Sequence, residues 1–221
     1  MTTSRILALM AISLLSIPAT ASASTWEIDP AHSTIEFSVK HMMVSTVKGQ
    51  FEKVKGAVEI DDKDLTKSAV EVTIDLASVN THEAKRDGHL KSPDFFDVAK
   101  YPSATFKSTK VQKAGKKLKI TGDLTLHGVT KPVVLDVEGP TPPTKTPFGT
   151  TVRAVHAAAK IDRKDFEIGW NKVLDNGGVL VGNEVTLDLN AELTEKAAPA
   201  AETAPAKPAA APAAPAAKPA K

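Results

Sequence analysis

Residues 117–126 read KLKITGDLTL, and this stretch decides the class of fold. Apolar residues or glycine at the even positions alternate with charged or hydroxyl-bearing residues at the odd positions. Because successive side chains of a strand point to opposite faces, the alternation predicts a β-strand with one dry and one solvated face. Such strands are typical of antiparallel sheets, whereas parallel strands are usually buried on both faces.

The same period-two alternation recurs elsewhere in the chain. Strong copies occupy residues 34–40, 69–76 and 184–193, and weaker strand patterns occupy residues 47–60, 102–111, 132–138 and 151–161. Turn signals occur at Asp61-Asp62, Ala114-Gly115, His127-Gly128 and residues 140–149. The chain is therefore predicted to be all-β, with about eight antiparallel strands.

A set of about eight one-sided strands forms either a sandwich or a closed barrel, and closure removes the exposed strand edges. An eight-stranded barrel has an interior that side chains can just fill or that can hold one small ligand. The dry rows here are rich in Val, Leu, Ile and Ala, with few large aromatic residues. That composition leaves room inside and favours an apolar cavity over a filled core.

One stretch of the domain predicts a helix. Residues 81–91 (THEAKRDGHLK) are charged, lack β-branched residues after Thr81 and stop before Ser92-Pro93. This short helix is expected to cover one end of the sheet, and a further helical turn is expected around residues 162–166. Gly49 and Gly56 are predicted to be bulge or bend positions within residues 47–60.

The first 23 residues have the pattern of a secretory signal peptide. Arg5 precedes a twelve-residue apolar run at residues 6–17, and Pro18 and small residues follow. The run is shorter than the roughly 20 residues that a membrane-spanning helix needs. We therefore predict export, with cleavage after Ala23 or, as the second choice, after Ala21. The predicted location is the periplasm, with secretion as the alternative, and the mature chain has no predicted transmembrane segment.

The opposite end, residues 197–221, consists almost wholly of Ala, Pro and Lys. Its six prolines prevent a continuous helix, and the segment is predicted to be a disordered spacer. The net charge of this tail, +2, would allow only a weak contact with an anionic envelope. Residues 24–196 remain as one domain, with a net charge of −1 that gives no electrostatic footprint for nucleic acid. The absence of cysteine means that packing, not disulfides, must stabilise it.

No pattern in the domain predicts catalysis or a cofactor. The six histidines are scattered and lack zinc-ligand spacing, so no metal site is predicted, although His82 and His89 could share one face of the helix. No serine has a nucleophile-elbow setting, and Gly177-Gly178 is too short to cradle a phosphate. Two carboxylates could meet across a barrel mouth, but their spacing does not favour it.

Several motifs, in order, carry a resemblance to a known family. The domain opens with WEIDPAHS at residues 26–33, and RDGHLKSPDFFDV follows at residues 86–98. GDLTLHGVT occupies residues 122–130, and RKDFEIGW occupies residues 163–170. Taken together, from about Thr25 to Leu193, these resemble the YceI-like family of bacterial proteins. One departure is Glu167, where the family often has glycine, and this puts the geometry of that turn in doubt.

The resemblance implies an extended, eight-stranded, lipocalin-like barrel, often periplasmic, with a long apolar tunnel for polyisoprenoid chains such as isoprenoid quinones or their precursors. The bound isoprenoid lipid would be a ligand, and no cofactor is expected. The residues expected to line the tunnel are the following: Phe37, Val39, Phe51, Val72, Ile74, Phe95, Phe96, Phe106, Ile120, Leu124, Phe166, Trp170 and Leu187. Some of these are expected to be plain core.

A polar head group is expected at the tunnel mouth. The residues expected to contact it are the following: His41, Arg86, Asp87, His89, Arg163 and Asp165. The alternative is that Arg86 with Asp87, and Arg163 with Asp165, pair only to brace the helix and the turn, since exposed ion pairs are common and weak.

Binding of a long isoprenoid or another amphiphile, with transport or storage, is the leading function, and the protein is not expected to be an enzyme. One alternative is an enzyme that acts on such lipids near His89 and Arg163, and another is a structural or stress-related envelope protein. A homodimer is an open alternative for the oligomeric state.

Overall fold

The computed structural model describes residues 23–175 and 177–196. Apart from Ala23, the predicted signal peptide lies outside these residues, and so does the whole of the predicted tail. No helix in the described part of the chain is long and apolar enough to span a bilayer. The strands are Ser24–Ile28 (β1), Thr34–His41 (β2), Ser45–Phe51 (β3), Val54–Ile60 (β4), Ala69–Asp75 (β5), Val79–Asn80 (β6), Ser103–Ala114 (β7), Lys117–Leu126 (β8), Val129–Glu138 (β9), Thr144–Lys145 (β10), Thr151–Asp162 (β11) and Val181–Glu195 (β12).

The strands form a closed antiparallel barrel. Three pairs of short strands, β1 with β2, β3 with β4 and β5 with β6, each act as one long strand with an interruption. These three long strands are followed around the ring by β7, β8, β9, β11 and β12. The last strand, β12, pairs with β11 on one side and with β1 and β2 on the other, which closes the ring at eight. The predicted eight-stranded barrel is confirmed.

The interruptions differ from the sequence prediction. Gly49 and Gly56 lie inside β3 and β4, and the break falls at residues 52–53 instead, so the predicted bulges are wrong. A Cβ at Gly49 would lie 2.5 Å from the Phe37 ring, and one at Gly56 would lie 2.6 Å from a backbone oxygen of Glu71. These glycines therefore give neighbouring atoms space within the sheet and do not bend the chain. Strand β1 was not predicted, because only five residues of pattern precede Asp29-Pro30.

Each long strand turns its apolar row inward. In β8 the side chains at positions 118, 120, 124 and 126 are buried, and their odd-numbered neighbours are more exposed. At Gly122 an added Cβ would overlap the ring of Phe106 on β7, so the missing side chain makes room for an aromatic one. The alternation in the sequence therefore determines which side chains face the interior.

One helix, α1 (Ala84–Lys91), covers an end of the barrel. It begins three residues later than predicted because His82 has a positive φ of 61° and Glu83 is extended. The Glu83 carboxylate accepts hydrogen bonds from the backbone N–H groups of Lys85 and Arg86 and so caps the helix. The turn expected around residues 162–166 is a short 3₁₀ helix, Arg163–Phe166.

The two ends of the barrel carry different segments. We call one the Met42 end, and it comprises residues 41–45, 81–101, 126–129 and 163–181. We call the other the Trp26 end, and it comprises residues 24–26, 61–68, 114–117 and 139–150.

Candidate ligand-binding cavity

The barrel interior contains an almost wholly apolar cavity. Its volume is about 260 Å³, many times the roughly 10–15 Å³ that one water molecule requires, so it is a chamber and not a packing defect. The wall includes inward-facing side chains from all eight long strands. Leu90, Phe95 and Phe96 join them from α1 and the loops that flank it, residues 81–101, which we call the cover. The charged residues on the wall are Glu36 and Arg163.

Most residues predicted to line a tunnel lie on this cavity. The structure places eleven of the thirteen there: Phe37, Val39, Phe51, Val72, Ile74, Phe95, Phe96, Phe106, Ile120, Leu124 and Leu187. Their contact with a ligand stays a prediction. The wall also includes small and branched residues that are absent from the predicted set, among them Ala104, Val133, Val155 and Ala157. The alternation of their strands would have identified them.

Phe166 and Trp170 do not line the cavity. Phe166, the last residue of the 3₁₀ helix, is fully buried. His127 Nδ1 donates a hydrogen bond to its carbonyl oxygen over 3.2 Å. Trp170 packs on the cover, with its ring 5.3 Å from that of Phe95 and 4.7 Å from that of His89. Both therefore hold the cover in place from behind the wall.

The polar residues predicted for a head group mostly serve the cover itself. Asp87 accepts hydrogen bonds from the Thr81 N–H over 2.8 Å and from the Thr81 hydroxyl. Arg86 donates through Nε to that hydroxyl and through Nη2 to the Thr81 carbonyl oxygen. Thr81 is buried, so both residues fix the chain where it enters α1. Neither lies on the cavity wall.

The other candidates are also away from the wall. His89 lies 2.8 Å from an Asp94 carboxylate oxygen, within the cover. His41 is the last residue of β2, and Asp165 is exposed on the 3₁₀ helix. Among the described residues, no ion pair joins Arg86 to Asp87 or Arg163 to Asp165, so the bracing occurs without the predicted pairing.

Arg163 is the one head-group candidate on the cavity wall, and its guanidinium is already engaged. It is 4% exposed and donates to the backbone carbonyl oxygens of Ile168 (2.6 Å), Trp170 (2.9 Å) and Gly182 (2.9 Å). Burial lowers the pKa of Arg163 from its ordinary value. Arg163 thus ties the 3₁₀ helix and the loop after it to the start of β12.

Comparison with known proteins places this barrel in a family. The model of the YceI-like domain matches residues 26–193, which is most of the chain. The chain belongs to the YceI-like family. The resemblance found in the sequence motifs is thereby confirmed.

Relatives and solved structures agree with the membership. A UPF0312 protein of Staphylococcus aureus strain MSSA476 is 38% identical over 172 residues, covering 77% of this chain and 98% of that protein. The crystal structure of Burkholderia cenocepacia BcnA matches with a TM-score of 0.64 and 25% identity, covering 75% of this chain and 98% of that one. A polyisoprenoid binding domain from Saccharophagus degradans matches with a TM-score of 0.57 and 17% identity, covering 79% of this chain and 99% of that one, and shows the shared fold.

This YceI-like chain forms the turn after Phe166 despite the family departure at Glu167. Glu167 has φ +60° and ψ 15°, a left-handed conformation that glycine adopts without strain. Its N–H nevertheless donates to the Lys164 carbonyl oxygen and closes the 3₁₀ helix. The departure changes the local strain and leaves the turn intact.

A second buried arginine lies at the Trp26 end of this YceI-like barrel. Arg153 is 5% exposed and lies in the same inward-facing row of β11 as the buried Ala157 and Ala159. Its guanidinium lies 4.8 Å from the Trp26 ring centroid, and its Nη2 lies 2.8 Å from an Asp62 carboxylate oxygen. Sequence reasoning missed this group, although an arginine in an otherwise apolar row was the available signal.

One group of side chains in the described residues could hold a metal ion: Asp29, His32 and Glu192. His32 Nδ1 lies 2.7 Å from an Asp29 oxygen and 3.7 Å from a Glu192 oxygen. The hydrogen bond that His32 donates to the Asp29 carboxylate raises the pKa of His32, and the same bond lowers the pKa of Asp29. The imidazolium ion pair accounts for this arrangement on the outer surface. His82 precedes α1 and does not share a helical face with His89.

Proposed function

We propose that this protein binds one long isoprenoid lipid, such as an isoprenoid quinone or its precursor, or a similar amphiphile, and carries or stores it in the periplasm. The observation that supports this most directly is the cavity of about 260 Å³ inside the barrel, whose wall is almost wholly apolar. The S. degradans neighbour, which is described as a polyisoprenoid binding domain, supports the same class of ligand. The periplasmic location rests on the predicted signal peptide.

The energetics favour a long apolar chain over a small polar molecule. Burial of one CH₂ group contributes about 0.8 kcal/mol, so an isoprene unit of five carbons contributes about 4 kcal/mol before entropy costs. A polar molecule would lose its hydrogen bonds to water and find few partners on this wall. Affinity should therefore rise with chain length and depend little on the head group.

Binding without turnover is proposed because Arg163, Arg86 and Asp87, the main polar candidates at the Met42 end, are already engaged with the protein. Arg163 donates to backbone carbonyl oxygens, and Arg86 and Asp87 hold Thr81. A catalytic group would need a polar atom that is free to contact the ligand. Incubation with isoprenoid alcohols and quinones, followed by mass analysis, tests this directly, and any enzyme-dependent product would contradict it.

Native mass spectrometry of the protein purified from its own cell envelope tests the binding proposal. We expect a bound mass equal to that of one isoprenoid lipid, and uptake of an added isoprenoid quinone by lipid-free protein. Failure to retain or take up any such lipid would overturn the proposal.

A matched pair of variants links the ligand to the cavity. Ala157 is buried on the cavity wall, whereas Ala154, on the same strand, is exposed. Ala157→Leu should fill part of the chamber and weaken binding about tenfold or more, because the ligand loses contact area of more than one CH₂ group. Ala154→Leu should bind like the unmodified protein. Equal binding by the two variants would show that the ligand lies elsewhere.

A further inference from the structure

The hairpin turn between β2 and β3 places apolar side chains in solvent at the Met42 end. Met42, Met43 and Val44 are 44%, 68% and 85% exposed. Of the seven large hydrophobic residues exposed among those the structure describes, five lie in this turn or in the loop of residues 171–180, which carries Val173 and Val179. Single exposed apolar residues are common on protein surfaces, but a cluster of this kind marks an interaction site.

The two segments touch and form one surface. The Met42 N–H donates a hydrogen bond to the Leu180 carbonyl oxygen over 2.8 Å, and Val173 bridges to Val179 within the loop. We call Met42, Met43, Val44, Val173 and Val179 the apolar tip. It is therefore fixed to the barrel at both of its parts.

The turn holds its methionines outward in a conformation that their side chains disfavour. Met42 and Met43 have φ of 52° and 61°, and the Val44 N–H donates to the His41 carbonyl oxygen over 3.1 Å. Two successive positive φ values define a tight hairpin turn for which Asn-Gly is the favoured pair. The turn between β8 and β9, at the same end, also has two successive positive φ values, 52° and 79°, and uses His127-Gly128. Local strain at a surface turn is typical of a functional site.

The charges around the apolar tip are mainly basic. Lys40 and Lys48 extend from β2 and β3, and Lys172 precedes Val173. None of these three lysines forms an ion pair with any residue in 23–175 or 177–196. Asp175 is the acidic residue of the described part of the loop, so the segments that carry the tip have more basic than acidic side chains.

The cavity wall continues to the base of this tip. Val39 and Val181 line the cavity, and Val181 pairs with His41, the residue directly before Met42. Apolar side chains flanked by basic residues match a membrane interface, where the side chains enter the boundary between head groups and acyl chains and lysines attract anionic lipids.

We infer that the apolar tip docks on the surface of an anionic phospholipid bilayer and so brings the Met42 end of the cavity to the source or destination of its lipid. The purpose of this docking rests on the proposed function, but docking itself can be measured without it.

Vesicle flotation of the full chain, as purified from cells that export it, tests the inference. The vesicles contain phosphatidylglycerol and phosphatidylethanolamine, or phosphatidylcholine alone. The combined variant Met42→Ser, Met43→Ser, Val44→Ser should lower the partition coefficient for anionic vesicles about tenfold or more. Lys40→Ser with Lys172→Ser should lower it on the order of tenfold for anionic vesicles only, and added salt should have the same effect.

Phe148→Ser is the matched control. Phe148 is 93% exposed at the opposite end, so its loss removes a large apolar side chain without changing the tip. We expect unchanged partition. An effect of Phe148→Ser larger than that of the triple variant would overturn the inference, and so would a triple variant that changes only the oligomeric state, because the tip would then be a contact between two copies.

Binding of a short isoprenoid alcohol in solution separates the two proposals. The triple variant should bind it as the unmodified protein does. Vesicle binding that depends on the tip in a protein that takes up no isoprenoid would refute the proposed function alone. Isoprenoid uptake with vesicle binding insensitive to the triple variant would refute the docking alone.

Discussion

The two ends of the barrel use a buried arginine in opposite ways. At the Trp26 end, Arg153 lies against the Trp26 ring and meets the carboxylate of Asp62, so one side chain links β11 to β1 and to the loop after β4. At the Met42 end, Arg163 donates to main-chain oxygens and organises a loop, and the apolar side chains nearby point outward. The same residue type therefore joins side chains at one end and orders the backbone at the other.

The largest effect on stability is expected from removing the Arg163 guanidinium. Arg163→Met should lower the free energy of unfolding by about 3 kcal/mol, because the buried carbonyl oxygens of Ile168, Trp170 and Gly182 lose a charged donor. Urea denaturation measures the loss. Hydrogen exchange should show faster opening of residues 167–182, with little change at the Trp26 end, and uniform loosening of both ends would contradict the division of roles.

The ion pair between Arg153 and Asp62 can be removed from its exposed partner, Asp62. Asp62→Ala leaves the Arg153 guanidinium buried without its carboxylate and should cost about 2 kcal/mol. Arg153→Met should cost less, since it removes the buried charge and keeps an apolar side chain beside Trp26. Thermal unfolding of the two variants decides the order, and a larger loss for Arg153→Met would show that the cation–ring contact dominates.

At the Met42 end, a substitution should relieve the backbone strain of the turn between β2 and β3. Met43→Gly should raise the free energy of unfolding by about 1 kcal/mol, because glycine accepts the positive φ that costs a side chain roughly that amount. A comparable substitution at Val134, exposed in the middle of β9, should be destabilising. If Met43→Gly were destabilising, outward packing and not strain would dominate this turn.

The smallest effect on stability is expected from the ion pair between Asp29 and His32, which lies on the outer surface of the barrel. Hydrogen bonding to Asp29 raises the pKa of His32, so the folded state holds the proton more tightly and the gain is lost as pH rises above about 6.5. The pKa of Asp29 is lowered, so its gain is lost as pH falls below about 3.8.

Comparison of stability at about pH 5 and about pH 8 tests this pair. The unmodified protein should lose slightly more stability between the two than His32→Gln does. An equal pH dependence would mean that the ion pair does not persist in solution.

The alternation in the sequence predicted an antiparallel β domain and the inward-facing side of each strand, and the family resemblance added the lipocalin-like barrel with its tunnel. Residues such as Ile120 and Leu124 face inward because strand periodicity dictates it. The head-group residues could not be predicted in the same way. The partners of Arg163 are main-chain oxygens of residues 168, 170 and 182, and no side-chain pattern marks a carbonyl that needs a donor.

Two other features depended on tertiary context. Trp170 and Phe166 look like wall residues, but the 3₁₀ helix and its loop fold over the end and turn them away from the cavity. The turn at Met42-Met43 carries none of the usual turn residues, so no residue pattern predicts a tight turn there. In the sequence, the turn is marked by the end of the period-two alternation after Lys40.

The double pairing of β12 has a consequence for the order of events during biosynthesis. Residues 181–195 are the last to be made of those in the barrel, yet they are the shared neighbour of β1, β2 and β11. A chain that emerges from its amino terminus has no enclosed interior until this final segment arrives. The barrel interior therefore first forms in the compartment where residues 181–195 become available to pair with β1, β2 and β11.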